Sequence, residues 1–143
     1  MKQKEILEYN KRCAEFLGAI DSKHTWGYML KEDELNLSFA LFDEKIFSND
    51  GGGSGWLIKD LKFHSDWNWI MEVVEAIEKL DNSKYEVTIL ESECAIIDKQ
   101  AAENEENPFM IKPIAACFKA NSKKEAVVQA INKFLIWYNE KNK

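Results

Sequence analysis

A chain of 143 residues, 45% apolar and 31% charged, is long enough to bury a core without disulfides or a structural metal, which excludes disorder of the whole chain. Twenty-five acids against nineteen bases leave a net charge of −6, which argues against a large phosphate-binding surface and so against DNA as a partner. Three cysteines, Cys13, Cys94 and Cys117, stand far apart without a CxxC or Cys/His spacing, so neither a disulfide framework nor a zinc site is expected.

The start, MKQKEILEYN, is charged and lacks the apolar run of a signal peptide. No stretch approaches the roughly twenty apolar residues of a membrane span, so a reducing cytoplasm is the expected compartment, with no membrane partner. Residues 4–18 place Ile6, Tyr9, Cys13, Phe16 and Leu17 on one helical face, and Gly18 can supply the left-handed stop. WGYMLK (26–31) and LNLSFALF (35–42) read as two strands, with EDE (32–34) as the turn between them.

DEKIFSNDGGGSG (43–55) reads as a mobile surface loop. It is no phosphate cradle, because no Gly-Lys-Ser/Thr follows and WLIKDLKF does not open a helix on the glycines. A helix is expected from about Asp66 to Leu80, then a hairpin of KYEVTILE (84–91) and ECAIID (93–98). KQAAENEENP (99–108) is an acidic excursion without apolar periodicity. FMIKPIAACFKA (109–120) returns to the sheet, and Pro113 marks an edge or a bulge because proline cannot donate to a ladder. In the last helix, Ser122 and Glu125 form a capping box, and Val127, Ala130, Ile131, Phe134 and Tyr138 make the buried stripe. Lys119, Lys123, Lys124, Lys133, Lys141 and Lys143 gather near it as a solvated face.

FHSDWNW (63–69) is the densest group of polar and aromatic residues. With Ser65 as N-cap, Asp66 falls in the first turn, where the helix dipole favours a carboxylate. Trp67, Ile70, Val74 and Ile77 then share a face with Met71 and Val73 flanking it, which makes Trp67 a core residue and puts Trp69 at its edge. Phe63 can staple the preceding turn. A capped helix does not account for His64. With Asp66 it could form an acid/base pair, but no nucleophile motif accompanies it, so no catalytic residue, cofactor or metal ligand is assigned.

Five tryptophans (26, 56, 67, 69, 137) are many for this length. Trp26, Trp56 and Trp69 sit at element ends or edges and, with His64, are the candidate ligand-binding residues. Glu91 and Glu93 share strand parity and suggest a carboxylate pair, although a solvated acidic edge explains them better. Ile136 points nearly opposite Val127 and Phe134, with Trp137 near the stripe's edge, so this helix is apolar on two faces. That pattern predicts a homo-oligomer with Ile136 and Trp137 at its interface.

Three segments, NKRCAEFLG (10–18), DLKFHSDWNWIMEVVEAIEKL (60–80) and SKKEAVVQAINKFLIWYNEKNK (122–143), cover about a third of the chain. Together they resemble a group of small proteins carried by phages and prophages of Bacteroidetes-type bacteria, a group without an assigned activity. The central and C-terminal parts are also similar to the phage ABA-sandwich domain, in which a helix precedes a β-hairpin and a second helix follows. The resemblance implies genome context and a layered fold, and it carries over no catalytic residues. The Gly-rich loop and the acidic excursion depart from the group.

The expected fold is α+β, a single domain over 1–143 in which about three helices form a layered sandwich on an antiparallel or mixed sheet of four to five strands, with loops at 49–55 and 99–108. The expected function is that of a non-enzymatic accessory protein acting by binding, in a counter-defence role. It would either sequester a small nucleotide-type signal or bind a host protein. The alternatives are a small metal-dependent hydrolase or nuclease using His64, Asp66, Glu91 and Glu93, and a structural or assembly component.

Overall fold

Helix α1 spans Gln3–Phe16. Its entry is fixed by the Glu5 carboxylate, which accepts the Lys2 N–H at 3.1 Å. Its exit is fixed by Gly18, whose φ of +96° reverses the chain as a side chain with a Cβ rarely does. The buried residues are Leu7, Tyr9, Asn10, Cys13 and Ala14. The expected face of Ile6, Tyr9, Cys13, Phe16 and Leu17 is therefore rotated toward Asn10: Ile6, Phe16 and Leu17 are only half-buried.

In this computed structural model the described residues are 1–18, 20–22, 39–41, 55–57, 60–107 and 111–143. They belong to an α+β chain that divides into two units, Met1–His64 and Ser65–Lys143. In the first unit, β1 (Ile20–Ser22), β2 (Phe39–Leu41) and β3 (Gly55–Leu57) form an antiparallel sheet in that order, with Ile20 opposite Leu41 and Phe39 opposite Leu57. The strand expected over 35–42 is described at 39–41. The strand expected over 26–31 and most of the Gly-rich loop lie outside the described residues, while Gly55 itself opens β3.

The second unit begins with α2 (Trp67–Ser83). Its N-cap is Asp66, whose carboxylate accepts the Asn68 N–H at 2.9 Å, and not Ser65 as the sequence suggested. Trp67 is the first helical residue and is 37% exposed, with the Lys124 ammonium 5.9 Å from its ring centre, so it is a surface side chain and not a core one. Ile70, Val73, Val74 and Ile77 form the buried stripe at helical spacing, and Met71 is exposed.

The regular helix stops at Lys79. Leu80 is extended, and Asp81, Asn82 and Ser83 all have positive φ (49°, 61° and 62°) before the Lys84 N–H closes on the Leu80 carbonyl at 3.1 Å. Asp and Asn tolerate this left-handed region better than other residues with a Cβ, and two of the three turn residues are of those types. The turn delivers the chain into β4 (Tyr85–Leu90), which pairs with β5 (Glu93–Asp98) through a two-residue connection.

The acidic excursion is not wholly irregular: its first residues form a short helix, α3 (Lys99–Glu103), because Asp98 accepts the N–H groups of Gln100 and Ala101 at 2.9 and 3.2 Å. The chain returns in β6 (Ala115–Cys117), antiparallel to β5, with Cys94 opposite Cys117. It ends in α4 (Lys123–Lys141). Ser122 accepts the Glu125 N–H at 3.1 Å as the capping box requires, but the Glu125 carboxylate closes on the Asn121 N–H, one residue beyond the expected partner.

Helix α4 lies across β5 and β6, and α2 lies across β4. The covered sheet face carries Tyr85, Val87 and Ile89, then Cys94 and Ile96, then Ala115 and Cys117. Tyr85 meets Phe134 edge-on at 5.1 Å and Trp137 at 6.2 Å, and Tyr138 stacks on Phe134 at 5.9 Å. Two counts differ from expectation. Among the described residues there are four helices instead of about three, and two antiparallel three-stranded sheets instead of one sheet of four to five. None of the described helices is long and apolar enough to cross a membrane.

Candidate functional site

The first unit buries a polar side chain. Asn10 is 1% exposed, because three residues after Leu7 and four before Ala14 it falls on the inner face of α1. Its Nδ2 donates to the Leu61 carbonyl at 3.1 Å and meets His64 Nδ1 at 3.0 Å. Both hydrogens of the amide are thereby used. Nδ1 of the ring must be the acceptor, which assigns the ring proton to Nε2. The Leu61 carbonyl also fixes the amide's orientation, since a flipped Asn10 would set oxygen against oxygen. That leaves Oδ1 buried and, among the described residues, without a hydrogen-bond partner.

Next to Asn10, the Tyr9 hydroxyl donates to the Phe63 carbonyl at 3.0 Å. Thus two carbonyls of the segment 61–63 are held by two successive side chains of α1, while Leu61 and Phe63 are themselves buried. The segment that leads into FHSDWNW is anchored by polar side chains as well as by apolar ones. Burial drives the Tyr9 phenol well above its ordinary range, with the Cys13 thiol beside it adding to the effect. Burial likewise pushes the Cys13 thiol up, against the smaller opposing effects of Tyr9 and Arg12, so it is an inert core thiol and not a nucleophile.

Burial also holds the His64 imidazole below its ordinary 6.5. The amide of Asn10 works in the same direction by geometry: a proton on Nδ1 would face a donor. His64 is therefore a neutral ring oriented by an amide, unlike a catalytic imidazole made more basic by a carboxylate. What this cluster offers chemically is an uncharged hydrogen-bonding set, with an acceptor at Asn10 Oδ1 and a donor at His64 Nε2.

The other expected site residues fare differently. Trp26 and His24 lie outside the described residues, and Trp56 is described only as a backbone position of β3, opposite Ala40. Trp69 is half-buried in α2. Asp66 spends its carboxylate on the helix cap. Glu91 does not share a strand with Glu93. It occupies the hairpin connection with φ +45°, while Glu93 opens β5 opposite Leu90. Among the described residues no three His, Cys, Asp or Glu side chains are grouped to hold a metal ion.

On α4, Ile136 is exposed, and Trp137 is half-buried against Phe134 at 5.6 Å with the Lys141 ammonium 5.1 Å from its ring centre. Several lysines expected on a solvated face have definite partners. Lys124 covers Trp67, Lys141 covers Trp137, and Lys133 donates to the Ala116 carbonyl at 2.9 Å. The sequence reading passed over Asn10. The signal for it was a short polar residue at helical spacing within an apolar face, a position that demands hydrogen-bond partners. No family profile, curated protein or solved structure matches the chain.

Proposed function

We propose that the chain is a phage- or prophage-encoded accessory protein of the bacterial host cytoplasm that self-associates and acts by binding in a counter-defence role. The observation that carries the binding part is the apolar surface left open on the second unit: Leu90, Phe118 and Ile136 are 62%, 57% and 41% exposed. These side chains come from three separate places, the end of β4, the segment after β6 and α4, so they are not the fraying of one terminus. The genome context rests on the resemblance of the three segments.

For the bound molecule, a host protein fits the described surface better than a phosphate-bearing signal. The Asn10–His64 cluster is uncharged, and the described cations nearby on α1, Lys11 and Arg12, lie within ion-pair distance of Glu15 and Glu8 at 4.0 and 3.9 Å. The test is native mass spectrometry of the full chain purified from host cells. A defined oligomer carrying a host polypeptide supports this reading. A nucleotide-sized mass shifts it to sequestration of a small signal. A bare monomer that releases neither overturns it.

A further inference from the structure

The two edges of the second sheet are built differently. Strand β6 is three residues long, follows Pro113 closely, and has its Ala116 carbonyl taken by the Lys133 ammonium. A short strand, a proline and a lysine are the usual ways of closing a sheet edge. Strand β4 forms the other edge. It is six residues long and contains neither proline nor lysine, and among the described residues no strand pairs with its outer side.

The backbone parity shows which groups are left open. The Lys84 carbonyl accepts the Lys99 N–H at 2.9 Å, so Lys84 turns its backbone toward β5. Every second residue onward, Glu86, Thr88 and Leu90, does the same, and Tyr85, Val87 and Ile89 present their N–H and C=O groups to the open side. Burial agrees. On the covered face, Cys94 and Ile96 of the central strand are fully buried, while Val87 and Ile89 of β4 are only half-buried.

We infer that this edge is a dimerisation surface, on which β4 of a second copy pairs antiparallel and the two sheets run on as one. The inference rests on the self-association proposed above and moves its surface from Ile136 and Trp137 to β4. The second copy is the fitting occupant because the strand is complementary to itself in one direction only. Antiparallel pairing centred on Thr88 sets Val87 against Ile89 of the second copy and Glu86 against its Leu90, with no like charges opposite. A parallel in-register pairing would instead set Glu86 against Glu86. A two-fold axis makes each of these contacts twice, as an isologous interface requires.

Sedimentation of the full chain tests this. The wild type is expected to sediment as a dimer. Thr88→Lys, which changes only an exposed side chain at the axis, raises the dimer dissociation constant at least tenfold, and Val87→Pro, which deletes an outward N–H, abolishes the dimer with circular dichroism unchanged. Ile136→Asp leaves the dimer intact. A dimer lost with Ile136→Asp and kept with Thr88→Lys overturns the β4 surface and keeps self-association. A wild-type monomer at every concentration overturns both. A monomer that instead holds a host polypeptide through β4, lost with Thr88→Lys, overturns the second copy as the occupant.

Discussion

Among residues 65–143 the deepest side chains, from Ile70 and Ile77 to Ile131 and Leu135, are aliphatic or aromatic, and the buried atoms interlock by shape. Among the described residues of 1–64 the deepest layer also contains Asn10, which is tied by direction and not by shape to Leu61 and His64. A core of the first kind tolerates changes in polarity at its rim but not changes in volume within. A core of the second kind responds to the loss of a single donor or the arrival of a single proton, because a buried polar group has no substitute for its partner. The first arrangement builds a scaffold. The second makes the stability of this region depend on single hydrogen-bond partners.

Replacing residues in each unit sharpens this contrast. The largest effect is expected from Phe134→Ala, which empties the position around which Tyr85, Trp137 and Tyr138 are arranged. It should cost about 3–5 kcal/mol of stability in chemical denaturation, with little dependence on pH between 5 and 8, a window set about the ordinary range of histidine. Asn10→Ala comes next, at about 1–3 kcal/mol, because the Leu61 carbonyl is left buried without its donor. If Asn10→Ala cost nothing, the contrast between the two regions would collapse.

The smallest and most diagnostic effect is that of pH. His64 in the folded chain is held below the 6.5 of the unfolded chain by burial, so the unfolded chain binds the proton more readily. Stability is then full above that value and declines as pH falls through the interval down to the folded value. His64→Gln should remove this part of the decline when denaturation midpoints of both chains are compared across that interval. Asp98 adds no slope there. Burial raises its pKa, but the N–H groups of Ala101 and Gln100 and the Lys84 ammonium outweigh that and hold it below its ordinary 3.8, so its contribution is lost only in stronger acid.

Much of the second unit was legible because its signals are periodic and local. The stripe of α4, the Ser122 cap and the alternation in YEVTIL and ECAIID each specify an element within a few residues. The errors arose where neighbouring residues compete for one role. Ser65 and Asp66 are both good caps, and the spacing that put Trp67 on the face of Ile70 and Val74 did not show that this face is open at the first turn. The left-handed run at Asp81–Ser83 could not be read, because each residue type there also suits an ordinary helix end. The Asn10 cluster was hidden for a different reason. Its partners Leu61 and His64 are more than fifty positions away, and one of them is a backbone carbonyl, which any residue could have supplied. Periodicity tells which side of a helix faces inward, but not what waits there.

The Lys133–Ala116 contact has a consequence for the size any assembly can reach. A sheet with one flank sealed has a valence of one. If two copies join through β4 as proposed, each covers the other's open edge of this sheet, and among the described residues the joined sheet ends on two β6 strands whose Ala116 carbonyls are taken. Growth through this sheet would then stop at two chains, whereas a sheet open on both sides adds copies without limit and becomes a fibre. In that assembly one lysine on a helix, together with a short strand and a proline, would separate a finite particle from a filament.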